Sequence, residues 1–148
     1  MTRGRAALVE IVQHYTQQSM MAPGLIESQK LMYFLQVAGE QLRLKFAANL
    51  YGPYADNLRH VLNVVEGHFL RGYGDGSATV AEAEPLIVLP DAAAEAEAVL
   101  SQLAEARARI ERVLALAAGF GIGLRPRASL HRALGGNAHR SDRRRFSD

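Results

Sequence analysis

Two tyrosines flank a Gly-Pro dipeptide in the middle of the sequence, in the run Tyr51-Gly-Pro-Tyr54. Proline is favoured in the first turn of a helix, so this run is expected to open a helix and to hold both rings near its N-terminus. Tyrosine is common at protein interfaces because its ring covers a large area at low entropic cost and keeps a polar tip. The run therefore predicts either a contact surface or two rings that cover a small core under the turn.

Three polar residues follow on the same predicted helix: Asn57, Arg59 and His60. The apolar residues of this helix recur with the spacing i, i+3, i+4, i+7, which is typical of one buried stripe: Leu58, Val61, Leu62 and Val65. The three polar residues lie outside the stripe. They form either a solvated face or part of a contact surface.

A glycine-rich run, Arg71-Gly-Tyr-Gly-Asp-Gly76, follows that helix. It has no Lys-Ser/Thr ending and no helix pattern directly behind it, so the backbone nest that holds a phosphate is not indicated. We interpret it as a glycine-rich turn or as a contact loop.

The residue types that catalysis and metal binding require do not form a pattern. No GxSxG, HExxH, P-loop or GxGxxG motif is present. The chain has no Cys, which excludes disulfides, thiol nucleophiles and Cys-ligated zinc. His60 and His68 are eight residues apart, which is not the spacing of metal ligands on one helical turn. We therefore predict no enzyme, no cofactor and no metal site.

Four segments with helical apolar periodicity are expected to position these residues. They cover residues 8–15, 31–38, 58–65 and 91–118. The candidate N-caps are Ser28 and Asp91, and the candidate stops are Gly39, Gly67 and Gly119. Residues 42–46 alternate and residues 86–89 are apolar, so both are predicted strands that pair as one small sheet, with residues 71–84 as loop. The predicted fold class is α+β, mainly α, with about four helices and a two-stranded sheet in a single domain.

Charge divides the chain into two parts. The net charge is +2 and the pI is about 9.2. Residues 121–148 carry seven Arg and two Asp, whereas residues 1–120 carry ten Lys or Arg and thirteen Asp or Glu. We therefore predict an acidic domain over residues 1–120 and an Arg-rich, weakly ordered tail over residues 121–148. No apolar run is long enough to span a bilayer and residues 1–20 contain no secretory signal, so a cytoplasmic protein without membrane association is expected.

Three blocks of the sequence together resemble the C-terminal domain of the DarG antitoxins and, more distantly, the KLLYF-type antitoxin domain. The first block runs from Gln29-Lys-Leu-Met-Tyr-Phe-Leu-Gln36 through Ala38-Gly-Glu40 to Leu42-Arg-Leu-Lys-Phe46. The second is Tyr51-Gly-Pro-Tyr-Ala-Asp-Asn-Leu-Arg-His-Val-Leu62, and the third is Glu66-Gly-His-Phe-Leu-Arg-Gly-Tyr-Gly-Asp-Gly76. The similarity covers residues 5–120, and its specific part is 51–76.

This resemblance implies a function. In the DarG family a separate N-terminal macrodomain removes ADP-ribose from DNA. The C-terminal domain binds the toxin DarT, an NAD-dependent ADP-ribosyltransferase that modifies thymidine in single-stranded DNA, and occupies its DNA-binding surface. The present sequence contains no macrodomain, so the resemblance implies neutralisation of a DarT-like toxin by binding, without hydrolase activity.

Eight residues are predicted to contact this partner: Tyr51, Tyr54, Asn57, Arg59, His60, His68, Tyr73 and Asp75. We expect Asp75 and the acids after it to stand in for DNA phosphates, and the tyrosine rings for stacked bases. Residues 72–106 contain seven acids and no Lys or Arg. This stretch supports the prediction independently, because a groove that accepts DNA is basic; otherwise it is a solvated acidic surface.

The tail departs from the family pattern after Gly119-Phe120. Codons can be chosen so that a neighbouring reading frame encodes the expected family segment, which suggests that residues 121–148 are out-of-frame sequence in place of a final helix. Sequencing of the coding DNA tests this hypothesis.

The alternative function is a nucleic-acid-binding regulator of a toxin–antitoxin operon. Such a regulator would use the Arg-rich tail, and its DNA binding would weaken steeply with salt.

Overall fold

A computed structural model describes residues 1–79 and 83–119, so the predicted weakly ordered tail lies outside the described residues. Five helices occur within these ranges: α1 (Arg3–Ser19), α2 (Leu25–Val37), α3 (Asp56–Val65), α4 (Pro90–Leu100) and α5 (Ala104–Gly119). Two antiparallel strand pairs accompany them: β1 (Phe46–Asn49) with β2 (Gly52–Ala55), and β3 (Leu70–Arg71) with β4 (Ile87–Val88). The predicted class, a mainly helical α+β single domain, is confirmed.

Helix α1 is the centre of the core. Its residues Ala6–Val9, Ile11 and Val12 are almost entirely inaccessible to solvent, because α2, α4, α5 and β4 all pack against it. Helix α4 buries Ala92 and Ala96, whose small side chains permit a close approach between helices. None of the described helices is long and apolar enough to cross a membrane.

A buried carboxylate joins three helices. Glu40, which follows α2 and is 2% exposed, accepts a hydrogen bond from Nε of Arg3 at 2.7 Å and one from Nη1 of Arg109 at 3.5 Å. The bond to Glu40 raises the pKa of Arg3. A charge buried this deeply is tolerated because two guanidinium groups pair with it. Glu40 therefore fastens the end of α2 to the start of α1 and to α5.

The prediction of one helix over residues 91–118 is wrong, because two helices, α4 and α5, occupy this range. Helix α4 ends at Leu100, and the turn that follows is closed by a bond from the Leu103 N–H to the Leu100 carbonyl. Both helices are rich in Ala and charged residues, so composition gives no sign of the break.

Two predicted N-caps are also wrong. Asp91 lies inside α4, and Ser28 is buried within α2, where it donates to the carbonyl of Gly24.

The predicted sheet of residues 42–46 with 86–89 is wrong. Strand β1 pairs with β2 through a tight turn at Leu50 and Tyr51, while β4 pairs with β3. The Gly-Pro dipeptide lies in β2 rather than at a helix start, and α3 begins at Asp56. Gly52 has a φ of +110°, which favours glycine directly after the hairpin turn.

Residues 42–45, which precede β1, belong to no strand, and Arg43 has a φ of +59°. The side-chain amide of Gln36 accepts a hydrogen bond from the Leu44 N–H at 2.8 Å and donates one to the Leu44 carbonyl at 2.9 Å. The Asn57 amide likewise accepts from the Lys45 N–H at 3.0 Å and donates to the Arg43 carbonyl at 2.9 Å. These amides take the place of an adjacent strand, which explains the alternating pattern without a sheet.

Candidate protein-contact site

A groove lies where the β1–β2 hairpin meets the N-terminal end of α3. Its volume is about 420 Å³, and residues of α2, the hairpin and α3 line it, among them Ile26, Ala47, Tyr51, Tyr54, Asp56 and Arg59. We call it the hairpin groove. A second depression of about 200 Å³ is lined by Tyr54 and Arg59 again, together with Tyr73 and Gly76. Tyr54 and Arg59 therefore stand between two adjoining concave surfaces.

The hairpin is fixed to the helical core by a side chain that the sequence analysis missed. Gln29 of α2 is 1% exposed; its amide accepts a hydrogen bond from the Ala55 N–H at 2.9 Å and donates one to the Ala55 carbonyl at 3.0 Å. Buried polar groups remain in a core when both partners are satisfied in this way. A glutamine within an otherwise apolar helix face was the signal that could have identified it.

Arg59 connects α3 to the glycine-rich loop. Its Nε donates to the hydroxyl of Tyr73 at 3.3 Å and its Nη2 donates to the carbonyl of Gly76 at 3.2 Å. The hydrogen bond to Tyr73 is the main reason why the pKa of Arg59 is raised. The side chain remains exposed, so the structure brings together three predicted contact residues, Tyr54, Arg59 and Tyr73, at one surface.

Glu66 sets the conformation of that loop and was also missed. Its two carboxylate oxygens accept hydrogen bonds from the N–H groups of Gly72 and Tyr73, both at 3.1 Å. An acid directly after the C-terminus of α3 had no distinguishing feature in the sequence. The carboxylate determines where the Tyr73 ring stands relative to Arg59.

Replacement of Glu66 with alanine is expected to lower the unfolding free energy by about 1–2 kcal/mol, because two backbone donors lose their acceptor. Glu66→Gln keeps one acceptor oxygen and should lose about half as much. Urea denaturation measures both values. Glu84, an exposed acid, is the control, since Glu84→Ala should change stability little. Equal stability of Glu66→Ala and Glu84→Ala would contradict the role of Glu66.

Asp75 lies at the exposed end of the same loop. Its Oδ1 accepts hydrogen bonds from the N–H and the hydroxyl of Ser77, at 2.9 and 2.6 Å. These bonds lower the pKa of Asp75, so it carries a full negative charge at neutral pH. Further exposed carboxylates follow in the chain: Glu84, Asp91, Glu95 and Glu97.

The remaining predicted residues are distributed differently. Tyr51 lines the hairpin groove, but Asn57 uses its amide to hold the segment before β1. His60 and His68 are exposed, and their side chains form no hydrogen bond within the part of the chain that the structure describes. Partner contact stays a prediction for these four residues and for the other four predicted contact residues.

Tyr54 is expected to ionise above the normal tyrosine range. Partial burial raises its pKa, and the nearby positive charge of Arg59 partly opposes this effect. Because the folded state keeps a proton that the unfolded state loses, Tyr54 should reduce stability as the pH rises above about 10. An ultraviolet titration compared with Tyr54→Phe isolates this group. Arg59→Ala should raise its pKa further; a pKa that is unchanged by Arg59→Ala would contradict this electrostatic arrangement.

No group of three or more His, Asp or Glu residues that could hold a metal ion occurs within residues 1–79 and 83–119. The arrangement is a set of aromatic, cationic and anionic groups on a surface whose backbone Gln29 and Glu66 hold in place. Such a surface suits recognition of another macromolecule.

Comparison with known proteins identifies related sequences, although no family model matches the chain. A DNA ADP-ribosyl glycohydrolase from Thermus aquaticus is 47% identical over 76 residues, which is 51% of this chain and 21% of that protein. Proteins of the same name from Mycobacterium bovis and Mycobacterium tuberculosis are each 43% identical over 94 residues, or 58% of this chain and 27% of theirs. The chain thus contains a DarG-related region and spans about a quarter or less of the length of these relatives.

Proposed function

We propose that this chain is an antitoxin-type binding module that neutralises a DarT-like, DNA-modifying ADP-ribosyltransferase by covering its DNA-binding surface. The observation that supports this proposal is the hairpin groove with its Tyr51, Tyr54 and Arg59 side chains, in a chain related over half its length to proteins named for action on ADP-ribosylated DNA.

The chemistry of the surface fits this role. Tyr and Arg are the residue types that most often contribute large binding energies at protein interfaces. Gln29 and Glu66 fix the backbone that carries them, so little conformational entropy is lost on association. The exposed carboxylates from Asp75 to Glu97 complement the basic surface that a DNA-binding toxin presents.

We further propose that the chain acts by binding alone. The relatives are named glycohydrolases, but the chain spans only 21–27% of their length. The resemblance to the DarG family implies that hydrolase activity belongs to a separate macrodomain and not to the toxin-binding domain proposed here.

An assay of ADP-ribose transfer tests the proposal. A DarT-like toxin, NAD and single-stranded DNA are mixed with increasing amounts of the chain. Transfer should stop near one equivalent of the chain, whereas DNA that is already ADP-ribosylated should stay modified when the chain alone is added. Undiminished transfer at a tenfold excess of the chain would overturn the proposal. Removal of ADP-ribose by the chain would overturn the binding-only mechanism.

The alternative regulator function depends on residues 121–148, which lie outside the described residues. Deletion of these residues separates the two functions. Toxin neutralisation should survive the deletion, whereas any salt-sensitive DNA binding should disappear.

A further inference from the structure

We propose that the outer edge of β1 is a docking edge, to which the partner toxin adds an extended segment as a third strand of the β1–β2 hairpin. This inference rests on the proposed function and deepens it, because it specifies the backbone surface and the conformation of the bound segment.

The direction of the backbone groups follows from the strand register. Ala48 is paired with Pro53, which has no N–H, so this pair cannot be a hydrogen-bonded one. Hydrogen-bonded and non-hydrogen-bonded pairs alternate in an antiparallel ladder. Ala47 and Asn49 therefore direct their N–H and C=O groups toward β2, while Phe46 and Ala48 direct theirs outward.

The two outer edges of the hairpin are treated differently by the fold. On the β2 side, the amide of Gln29 bonds both backbone groups of Ala55. On the β1 side, no described residue outside the hairpin forms a backbone hydrogen bond with Phe46 or Ala48. The β1 edge thus retains donors and acceptors at strand spacing.

Edge strands usually carry devices that prevent pairing with another chain, such as charged residues, proline or a bulge. Residues 46–49, Phe-Ala-Ala-Asn, contain no charge and no proline, and their register with β2 is continuous. Ala47, Ala48 and Asn49 are exposed. The edge is therefore open to an incoming strand along most of its length.

The occupant that fits is an extended segment of a larger protein. An added strand satisfies N–H and C=O groups at this spacing, which is the mode of recognition called β-strand addition. Ala47 is small and is paired with Tyr54, so a large side chain on the added strand can reach across Ala47 to the Tyr54 ring. An aromatic side chain in that position also approaches Arg59, which lines the same groove.

A second copy of this chain is a poorer occupant. Self-pairing joins two strands of four residues, each of which offers outward groups from Phe46 and Ala48 alone. A stable protein–protein interface buries on the order of 1,200 Å² or more, and this short contact falls well below that area.

Hydrogen exchange of single backbone amides tests the inference with the full chain. The Ala47 amide is the internal reference, because it already bonds to β2. When a catalytically inactive DarT-like toxin is added, exchange at Ala48 should slow at least tenfold, while Ala47 changes much less. A complex in which Ala48 exchange is unchanged would overturn the docking edge and leave the proposed function intact. Absence of any complex would overturn both.

If the Ala48 amide is protected from exchange in the chain alone, and this protection increases with the concentration of the chain, the edge binds a second copy and the inference is overturned.

A substitution provides a second measurement. Ala48→Pro removes the outward N–H but no hairpin bond, so the fold should persist while toxin affinity falls at least tenfold. Ala48→Val keeps the N–H and should lose much less affinity than Ala48→Pro. Equal affinity of a folded Ala48→Pro variant and the parent would contradict the proposal.

Discussion

Replacement of Gly72 with alanine is expected to lower the unfolding free energy by about 3 kcal/mol. Gly72 has a φ of +117°, which is strained for any residue with a side chain. A Cβ at this position would also overlap the carbonyl oxygen of Pro85 on the neighbouring chain segment. Relief requires the backbone to move, which separates β3 from β4 and displaces the loop that Glu66 holds. Urea denaturation should show this loss, with a thermal midpoint lower by about 10 °C.

Gly74 provides the matched control in the same loop. Its φ of +66° is also positive, but a Cβ there would have no atom within 4 Å. Gly74→Ala should therefore lose only the conformational term, about 1 kcal/mol. Equal stability of the two variants would show that the contact with Pro85 does not matter.

Replacement of Arg59 with alanine is expected to weaken toxin binding about 100-fold, equivalent to about 3 kcal/mol. Arg59 lines both concave surfaces, and its bonds to Tyr73 and Gly76 hold the glycine-rich loop against α3. The substitution removes the exposed Arg59 side chain as a contact with the toxin. It also frees Tyr73 and the glycine-rich loop, which Arg59 holds in place. Isothermal titration calorimetry with a DarT-like toxin measures the change.

Two controls separate the possible causes. Arg59→Lys keeps the charge but lacks the planar fork that reaches both loop groups, so it should recover only part of the affinity. Arg107 is an exposed arginine on α5, and Arg107→Ala should leave binding unchanged. If Arg107→Ala weakens binding as much as Arg59→Ala, the effect is one of net charge and the proposed site is wrong.

The sequence allowed prediction of the helices whose apolar stripe faces one core. Helix α1 and most of α3 followed from that periodicity, as did the mainly helical class. Periodicity reports which side chains are buried and not what lies beside the backbone. The alternation of residues 42–46 therefore predicts a sheet, although Gln36 and Asn57 take the place of the neighbouring strand.

The Gly-Pro dipeptide shows a related ambiguity. Proline fits the first turn of a helix and also a strand position that needs no N–H, so the sequence alone did not distinguish the two. Two residues favour the hairpin. Gly52 closes the turn with its positive φ, and Gln29 of α2 forms hydrogen bonds with both backbone groups of Ala55.

The residue types of the candidate site could be predicted, but their arrangement could not. The frequency of Tyr at interfaces predicts Tyr54, the position outside the apolar stripe predicts Arg59, and the family resemblance predicts Tyr73. The contact between Arg59 and Tyr73 joins residues 14 positions apart and depends on the loop geometry that Glu66 imposes. Glu66 acts through backbone groups six and seven residues away, and no feature of the sequence marks this role. Gln29 acts through Ala55, and its only sequence signal is a glutamine within an otherwise apolar helix face.

A binding titration with competing single-stranded DNA tests the central claim most directly. A labelled, catalytically inactive DarT-like toxin is titrated with the full chain, alone and with an excess of single-stranded DNA. We expect a one-to-one complex with submicromolar affinity that DNA weakens competitively, because both ligands use the same surface. A toxin that binds the chain and DNA simultaneously, or that does not bind the chain at tens of micromolar, would contradict it.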